Sequence, residues 1–188
     1  MEEKELIPKL RKGQDGAFKV LVNNYQNKVM NTCYGFVHNT EDAEDIAQDV
    51  FIEIFRSVSA FKEESSLSTW IYRIAVNKSL DFLRKKNRKK RFGLELSISG
   101  NERSLFQEAA DPNEPHEDYE RNERIYILRK AMASLHKNQR IALVLHKIEG
   151  LPHQEIANIM NISHSAVESL IHRAKQNLRK KLYKIYDK

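Results

Sequence analysis

The sequence predicts an all-α protein of two small helical domains joined by a flexible acidic linker, and three observations support this prediction. Apolar side chains recur every three or four residues through both halves of the chain, which is the period of an α-helix. No stretch of useful length alternates between apolar and polar residues as a strand does. Between Gly93 and His116 the helical pattern stops, and Gly, Pro, Ser, Asn and acidic residues dominate. We therefore expect an N-terminal domain at residues 1–91, a linker at 92–116 and a C-terminal domain at 117–188.

The N-terminal domain is predicted to contain three helices. The first carries the apolar stripe Phe18–Phe36, whose members are spaced three or four residues apart. The second begins at an N-cap, either Asn39 or Thr40, and its first turn is rich in acids that suit the positive end of the helix dipole. A loop at 61–68, with capping hydroxyls at its end, precedes the third helix, which runs into a basic segment at 84–91.

The C-terminal domain is predicted to end in a helix-turn-helix, after two further helical stripes. A short helix over Pro152–Met160, a three-residue turn and a long helix from His164 have the dimensions of this motif. Ala157 permits a close crossing of the two helices, and Ser163 can cap the second one. The outer face of the second helix carries polar side chains that can reach base edges in a major groove. An ordinary helical hairpin is the alternative.

The charged side chains are unevenly distributed. The chain has 32 Lys and Arg against 26 Asp and Glu, which gives a net charge of +6. Residues 93–120 contain eight acids and one base, so the rest of the chain has a charge of +13. The bases concentrate at 84–91 and in the tail from Arg173 onward. Two basic patches separated by an acidic segment favour a polyanion bound at two points, and two solvated helix ends are the alternative.

Composition and motifs disfavour several functional classes. No apolar run approaches the ~18 residues of a membrane helix, and the acidic opening residues do not resemble a signal peptide, so we expect a cytoplasmic protein with no membrane insertion. Cys33 is the only cysteine, and the seven histidines show no ligand spacing. No Gly-rich phosphate loop is present, so we expect no enzyme, no cofactor and no metal. A metal held by Asp42, Asp45 and Asp49 is the disfavoured alternative, because no histidine or second carboxylate cluster converges there.

Three stretches of the sequence together resemble a known family. They are Asp42–Phe55, Thr69–Lys78 continuing into Leu80–Arg84, and Gly150–Ala157 together with Ala166–Ala174. With their order and spacing they are similar to the small two-domain, extracytoplasmic-function type of sigma factor of bacterial RNA polymerase. The resemblance covers about residues 10–185. It implies a non-enzymatic subunit that binds core RNA polymerase and directs it to promoters for transcription initiation. A stand-alone helix-turn-helix transcriptional regulator is the alternative, in which Asp42–Phe55 would have no purpose.

The resemblance also implies the partners of the chain. These are core RNA polymerase and promoter DNA, contacted as a duplex at the −35 element and as a melted non-template strand at the −10 element. The family admits an anti-sigma factor as a further partner. The acidic linker is implied to enter the polymerase cleft, where its charge mimics that of a transcript.

The resemblance assigns candidate residues to three surfaces. The polymerase-binding residues are Asp42, Glu44, Asp45, Gln48, Asp49 and Glu53. The −10 DNA-binding residues are Phe61, Tyr72, Asn77, Arg84, Lys85 and Arg88. The −35 DNA-binding residues are Ser165, Glu168, Ser169, His172, Arg173, Lys175 and Arg179. Phe61 is expected to stack on a flipped base, Arg173 to read a base, and Lys175 to bind a phosphate.

Two positions depart from the family pattern. Pro152 stands where Ser or Thr commonly caps, and Glu168 stands where Lys or Arg often faces DNA. Because a carboxylate beside phosphates would be repelled, we expect Glu168 either to accept from a specific base or to pair with nearby His172 or Arg173. Trp70 is expected in the core, since tryptophan on an apolar stripe is more often buried than stacked on DNA.

Overall fold

The computed structural model describes residues 3–96 and 116–186, and eight α-helices make up most of these ranges. The helices are α1 (Glu3–Arg11), α2 (Asp15–Val37), α3 (Thr40–Ser57), α4 (Leu67–Leu96), α5 (His116–Ala133), α6 (Lys137–Lys147), α7 (His153–Met160) and α8 (His164–Tyr186). Helices, turns and loops account for the described residues, which confirms the predicted all-α class. The predicted linker lies outside the described residues, except where α4 ends and α5 begins. None of the described helices is both long and apolar enough to cross a membrane.

Helix α1 is not predicted by the apolar pattern, although it belongs to the N-terminal core. Its side chains Leu6, Ile7 and Leu10 are buried, and the helix packs on α2 and on the short 3-10 turn after α3. Three apolar residues in a helix that also contains Pro8 are too weak a signal for periodicity to detect. Gly13 follows with a left-handed φ of 66°, which a side chain would strain, and α2 begins just after this break.

Helices α2, α3 and α4 supply the core of the N-terminal unit. Val29 of α2, Val50 of α3 and Ile71 of α4 are almost completely inaccessible to solvent, and the burial of Val29 confirms the stripe predicted for the first helix. Cys33 lies in the same stripe as Val29. Burial raises the pKa of the Cys33 thiol to about 11, so it is a protonated core side chain at neutral pH.

Side-chain caps set the beginnings of α3 and α4. The Asn39 side chain accepts a hydrogen bond from the backbone N–H of Asp42 at 2.8 Å, which selects Asn39 over Thr40 as the N-cap. The Ser66 hydroxyl accepts a hydrogen bond from the backbone N–H of Thr69 at 3.1 Å. Ser66 is thus one of the predicted capping hydroxyls, and α4 begins at Leu67, two residues before the predicted end of the loop.

Helices α5 to α8 form the C-terminal unit. The run Ile141–Leu145 in α6 is entirely buried, and Ile156 of α7 and Val167 of α8 are fully buried beside it. Helices α7 and α8 make the predicted helix-turn-helix. The Ser163 hydroxyl accepts a hydrogen bond from the backbone N–H of Ala166 at 3.2 Å, which confirms the expected cap of α8.

The two helical units pack directly against each other, through α2 and α4 on one side and α6 and α7 on the other. Phe36, Tyr72 and Val76 from the N-terminal unit are buried in the same apolar cluster as the core of the C-terminal unit. Gly35 lies so close to α6 that an added Cβ would be 2.8 Å from Cγ1 of Val144. We call this packing of α2 and α4 on α6 and α7 the closed arrangement.

Candidate polymerase and promoter interfaces

Helix α3 turns most of the predicted polymerase-binding residues outward. The exposed ones are Glu44, Asp45, Gln48 and Asp49. The other two are half-buried at the side of the helix that faces α4. Asp42 pairs with Lys86 at 2.5 Å, and Oε2 of Glu53 accepts a hydrogen bond from Nζ of Lys78 at 3.0 Å. Asp42 and Glu53 therefore hold α3 to α4, whereas the exposed four are available to a partner.

Two large apolar side chains stand on the same outward face of α3. Ile52 is 47% exposed and Phe55 is 61% exposed. The Phe55 ring meets the ring of Phe18 edge to face, with centroids 5.2 Å apart. Gln48, Ile52 and Phe55 are spaced by four and then three residues, so they form one row along the helix. This spacing is the signal that identifies the row, and the predicted polymerase-binding residues include Gln48 but omit Ile52 and Phe55.

Phe61 lies in the core rather than on the surface. It is 6% exposed, and its ring stacks on Trp70 with centroids 4.9 Å apart. Its backbone carbonyl accepts a hydrogen bond from the Arg11 guanidinium. The prediction that Phe61 stacks on a flipped base does not fit this geometry, because Trp70 already covers its ring. Trp70 packs half-buried on the N-terminal core, as expected.

Tyr72 and Asn77 lie where the two units meet. The Tyr72 hydroxyl donates a hydrogen bond to Oε2 of Glu149 at 3.0 Å, and the side chain is buried. Burial and the Glu149 charge both raise the pKa of Tyr72, so its hydroxyl stays protonated. Asn77 is exposed and lines a cleft of about 280 Å³ that also contains Lys137 and Asn138 of α6. In the closed arrangement Tyr72 is therefore inaccessible to DNA, and Asn77 faces the C-terminal unit.

The basic end of α4 is open to solvent as far as its side chains are described. Arg84, Lys85 and Arg88 are all exposed, and Arg84 pairs with Asp81 one turn earlier. Exposed guanidinium and ammonium groups on one helix can bind phosphates along a DNA backbone. The three basic residues of the predicted −10 set are therefore accessible enough to bind phosphates.

Arg73, which the sequence does not single out, caps a helix of the other unit. Its Nε donates a hydrogen bond to the carbonyl of Ile159 at 3.1 Å, and its Nη2 donates one to Asn158 at 2.7 Å. Both carbonyls belong to the last turn of α7, where intrahelical partners are missing and a positive charge is favourable. An arginine of α4 thus provides hydrogen bonds to the C-terminal carbonyls of the first helix of the helix-turn-helix.

Helix α8 exposes every predicted −35 residue. These are Ser165, Glu168, Ser169, His172, Arg173, Lys175 and Arg179. Oε1 of Glu168 lies 3.8 Å from Nδ1 of His153 and 3.8 Å from Nδ1 of His164. Nε2 of His172 lies 2.9 Å from the side-chain amide nitrogen of Gln176. The observed neighbours of Glu168 therefore differ from the expected His172 and Arg173.

Three residues of metal-binding type meet at the start of the helix-turn-helix. One donor atom from each of His153, His164 and Glu168 lies within 4.8 Å of the other two. Histidine spacing alone does not predict this group, because His153 comes from α7 and the others from α8. The signal in the sequence is the pair His164 and Glu168, which are four residues apart and so share one helix face. The expectation of no ligand spacing missed this pair.

Comparisons with known proteins identify the family. The family model for Sigma-70 region 2 matches residues 21–89, and the model for Sigma-70 region 4 matches residues 125–178. The ECF RNA polymerase sigma factor SigW of Bacillus subtilis is 34% identical over 181 residues, covering 95% of this chain and 96% of that protein. The chain belongs to the ECF family of RNA polymerase sigma factors. Region 2 therefore corresponds to the N-terminal unit and region 4 to the C-terminal unit.

Further relatives support the same conclusion for this ECF sigma factor. The RNA polymerase sigma-H factor of Pseudomonas aeruginosa is 29% identical, covering 96% of this chain and 94% of that protein. The fold is similar to that of CnrH, solved in complex with the cytosolic domain of CnrY, with a TM-score of 0.67, 21% identity and 96% coverage of both chains. A sigma factor RpoE from Bartonella quintana, solved with the anti-sigma factor NepR, gives a TM-score of 0.60 at 20% identity, covering 88% of this chain and 96% of that one.

Family membership establishes the general function. The chain is a sigma factor that binds core RNA polymerase and directs it to promoters for transcription initiation. A stand-alone helix-turn-helix regulator does not account for the match to region 2 over residues 21–89. The resemblance carried by the three sequence stretches is confirmed.

Proposed function

We propose that the outward face of α3 is the surface by which this sigma factor docks on core RNA polymerase. Its exposed acids favour a basic partner surface. Ile52 and Phe55 stand among these acids and supply the apolar area that interfaces concentrate at their centres. This combination of acids and apolar anchors carries the proposal, because an acidic face alone is common on solvated helices.

Reversing two charges tests the docking surface. Asp45→Lys combined with Asp49→Lys alters two exposed residues one turn apart. Glu53→Lys is less suitable, because it would also break the pair with Lys78. We expect at least about a tenfold loss of affinity for core polymerase, equivalent to about 1.4 kcal/mol, since the new lysines would face a basic surface.

A charge-matched control separates docking from net charge. Glu64→Lys combined with Glu123→Lys makes the same charge change at exposed positions away from α3, and should bind as the wild type does. Affinity is measured by titrating labelled protein with core polymerase, and folding by circular dichroism. If the α3 double variant folds normally and binds core polymerase as tightly as the control, the docking surface lies elsewhere.

We infer that the DNA contacts divide between α4 and α8. Arg84, Lys85 and Arg88 bind phosphates near the −10 element, where Asn77 pairs with an unstacked base. Phe61 has no part in this site, because it is buried against Trp70. The exposed residues of α8 read the −35 element, with Arg173 as the main base reader and Lys175 and Arg179 on phosphates.

The two DNA contacts require the closed arrangement to open. Elements centred near −35 and −10 are separated by 25 base pairs, or about 85 Å of B-DNA. A compact chain of this length has a radius of gyration of only about 16 Å. The 19 residues between the described ranges span at most about 65 Å when extended, which together with the width of the units is enough to reach both elements. We therefore propose that the units separate when the sigma factor binds polymerase and promoter.

The family also suggests a further protein partner and a cellular location. Structures with the same fold were solved in complex with the cytosolic domain of CnrY and with the anti-sigma factor NepR, and we propose that this chain also has an anti-sigma partner. We further propose that it acts without catalysis, as a specificity subunit. It works in the cytoplasm, where its polymerase and promoter partners are.

A further inference from the structure

Two histidines and a glutamate converge at the helix-turn-helix. His153 is the first residue of α7, His164 is the first residue of α8, and Glu168 lies one turn further along α8. Nδ1 of each histidine is 3.8 Å from the same Glu168 oxygen, and the three donor atoms lie within 4.8 Å of one another. The turn between the helices therefore brings three potential metal ligands to one point.

The donor set matches a particular class of ion. Two imidazole nitrogens and one carboxylate oxygen suit zinc and the neighbouring divalent first-row metals, whereas calcium and magnesium prefer oxygen alone. Bonds of about 2.1 Å place neighbouring donors about 3.4 Å apart in a tetrahedral complex. The two observed separations of 3.8 Å need to close by only about half an ångström, and the separation of the two histidine donors, which is at most 4.8 Å, by at most about 1.4 Å. Small side-chain rotations at these largely solvent-accessible positions can provide this movement.

A neighbouring ring helps to position the first ligand. The His146 ring lies against that of His153, with centroids 5.0 Å apart, and the His164 ring lies on His153 at 5.5 Å. His153 is therefore held between two rings and does not turn freely into solvent.

We propose that His153, His164 and Glu168 bind a divalent transition-metal ion, with zinc as the best match. The ion joins the start of α7 to the start of α8, so binding stabilises the helix-turn-helix. A link to promoter recognition rests on the proposed reading of the −35 element by α8, with Glu168 accepting from a base as the sequence analysis allows, because the metal would withdraw this carboxylate from DNA. The metal site itself does not depend on that role.

The binding experiment uses the full chain with any affinity tag removed, and Co²⁺ as a spectroscopic probe that Zn²⁺ displaces. The wild type should bind one equivalent of Co²⁺, with the visible absorption of a low-coordinate complex, and should unfold at a higher temperature with Zn²⁺. His164→Gln and Glu168→Gln should each weaken binding by at least about tenfold and lose the thermal shift. His153→Gln applies the same binding test to the ligand that α7 contributes.

His136→Gln is the matched control, because His136 is exposed at the start of α6 and lies outside the cluster. It should bind Co²⁺ as the wild type does. The proposal is overturned if the wild type binds no Co²⁺, or if the His164→Gln and Glu168→Gln chains, folded by circular dichroism, bind it as tightly as the control.

A second arm separates the metal site from the role of Glu168 in promoter reading. Affinity for a −35 duplex is measured for the wild type and for Glu168→Gln, each with Zn²⁺ and with a chelator. Zn²⁺ should weaken wild-type binding several-fold and leave Glu168→Gln unchanged. If the wild type binds Zn²⁺ but its affinity for DNA does not change, Glu168 does not read bases and the link to recognition is wrong.

Discussion

The hydroxyl of Tyr72 donates a hydrogen bond to Glu149 at 3.0 Å, and this contact joins residues 77 positions apart in the two helical units. Burial raises the pKa of the Glu149 carboxyl, and the Tyr72 hydrogen bond partly offsets that effect. Arg73, the next residue, holds the last turn of α7. Consecutive side chains of region 2 therefore fasten region 4 in the closed arrangement.

Gly35→Ala should loosen the closed arrangement. An added Cβ would meet Cγ1 of Val144 at 2.8 Å and Cγ1 of Ile148 at 3.2 Å, so the Val144 side chain must move away from α2, and we expect α6 to move with it. Alanine is also the better helix former, by about 1 kcal/mol, so α2 itself should not be weakened. We expect a larger radius of gyration by small-angle X-ray scattering.

Gly16→Ala is the matched control for this change. It also lies in α2, but an added Cβ there has nothing within 4 Å. It should keep the closed radius of gyration while gaining the same helix propensity. Identical scattering from the two variants would show that contact between α2 and α6 does not hold the units together.

His38 should make the stability of the chain sensitive to acid. Burial, together with the charges of Arg129 and Arg140, lowers the pKa of His38 to about 4. The unfolded chain, with a histidine pKa of about 6.5, binds this proton more readily than the folded chain. Stability from this site is therefore complete above about pH 6.5 and decreases as the pH falls towards 4. The raised pKa of Glu149 acts in the opposite direction, so a variant is needed to isolate His38.

Thermal unfolding between pH 7 and 4.5 measures the contribution of His38. His38→Asn should reduce the fall in melting temperature, and asparagine tolerates the left-handed φ of 52° at this position. His136→Asn, at an exposed N-cap, should leave the wild-type pH dependence unchanged. A parallel pH dependence for His38→Asn and the wild type would refute the effect.

Substitutions on α8 should distinguish residues that read bases from residues that bind phosphates. Arg173→Ala should cost about 1–3 kcal/mol on the preferred −35 sequence and relax preference at one base pair, because arginine pairs bidentately with guanine. Lys175→Ala should weaken all sites alike and reduce the salt dependence by about one phosphate contact. Selection from a randomised −35 library in the presence of a chelator distinguishes them. Enrichment of one common sequence by the wild type and Arg173→Ala would exclude Arg173 as a base reader.

Much of the fold follows from short-range patterns in the sequence. The stripe through Val29 and the caps Asn39 and Ser163 are local features, and the structure confirms each of them. Helix α1 is not predicted, because its three apolar residues are too few to establish a helical period. The closed arrangement also escapes prediction, because the contact of Gly35 with Val144 depends on how two separate units pack.

The candidate sites show the same division between local and long-range information. Exposed residues of α3 and α8 are correctly placed outward, because helical period determines which face is buried. Phe61 is predicted to stack on a DNA base but packs against Trp70, because an aromatic side chain next to a core position can pack into the core. The approach of His153 to Glu168 crosses the turn between two helices, which residue spacing does not encode.

The distance between the two units, measured by energy transfer, tests whether the closed arrangement opens when the sigma factor binds polymerase and promoter. Dyes are attached through Lys19→Cys on α2 and Ser134→Cys between α5 and α6, both exposed positions, in a chain whose buried Cys33 is replaced by alanine. We expect a short distance in the free chain and an increase of tens of ångströms when core polymerase and a promoter are added, as a span of about 85 Å of DNA requires. A distance that stays short in an actively transcribing complex would show that the two units do not separate on the promoter.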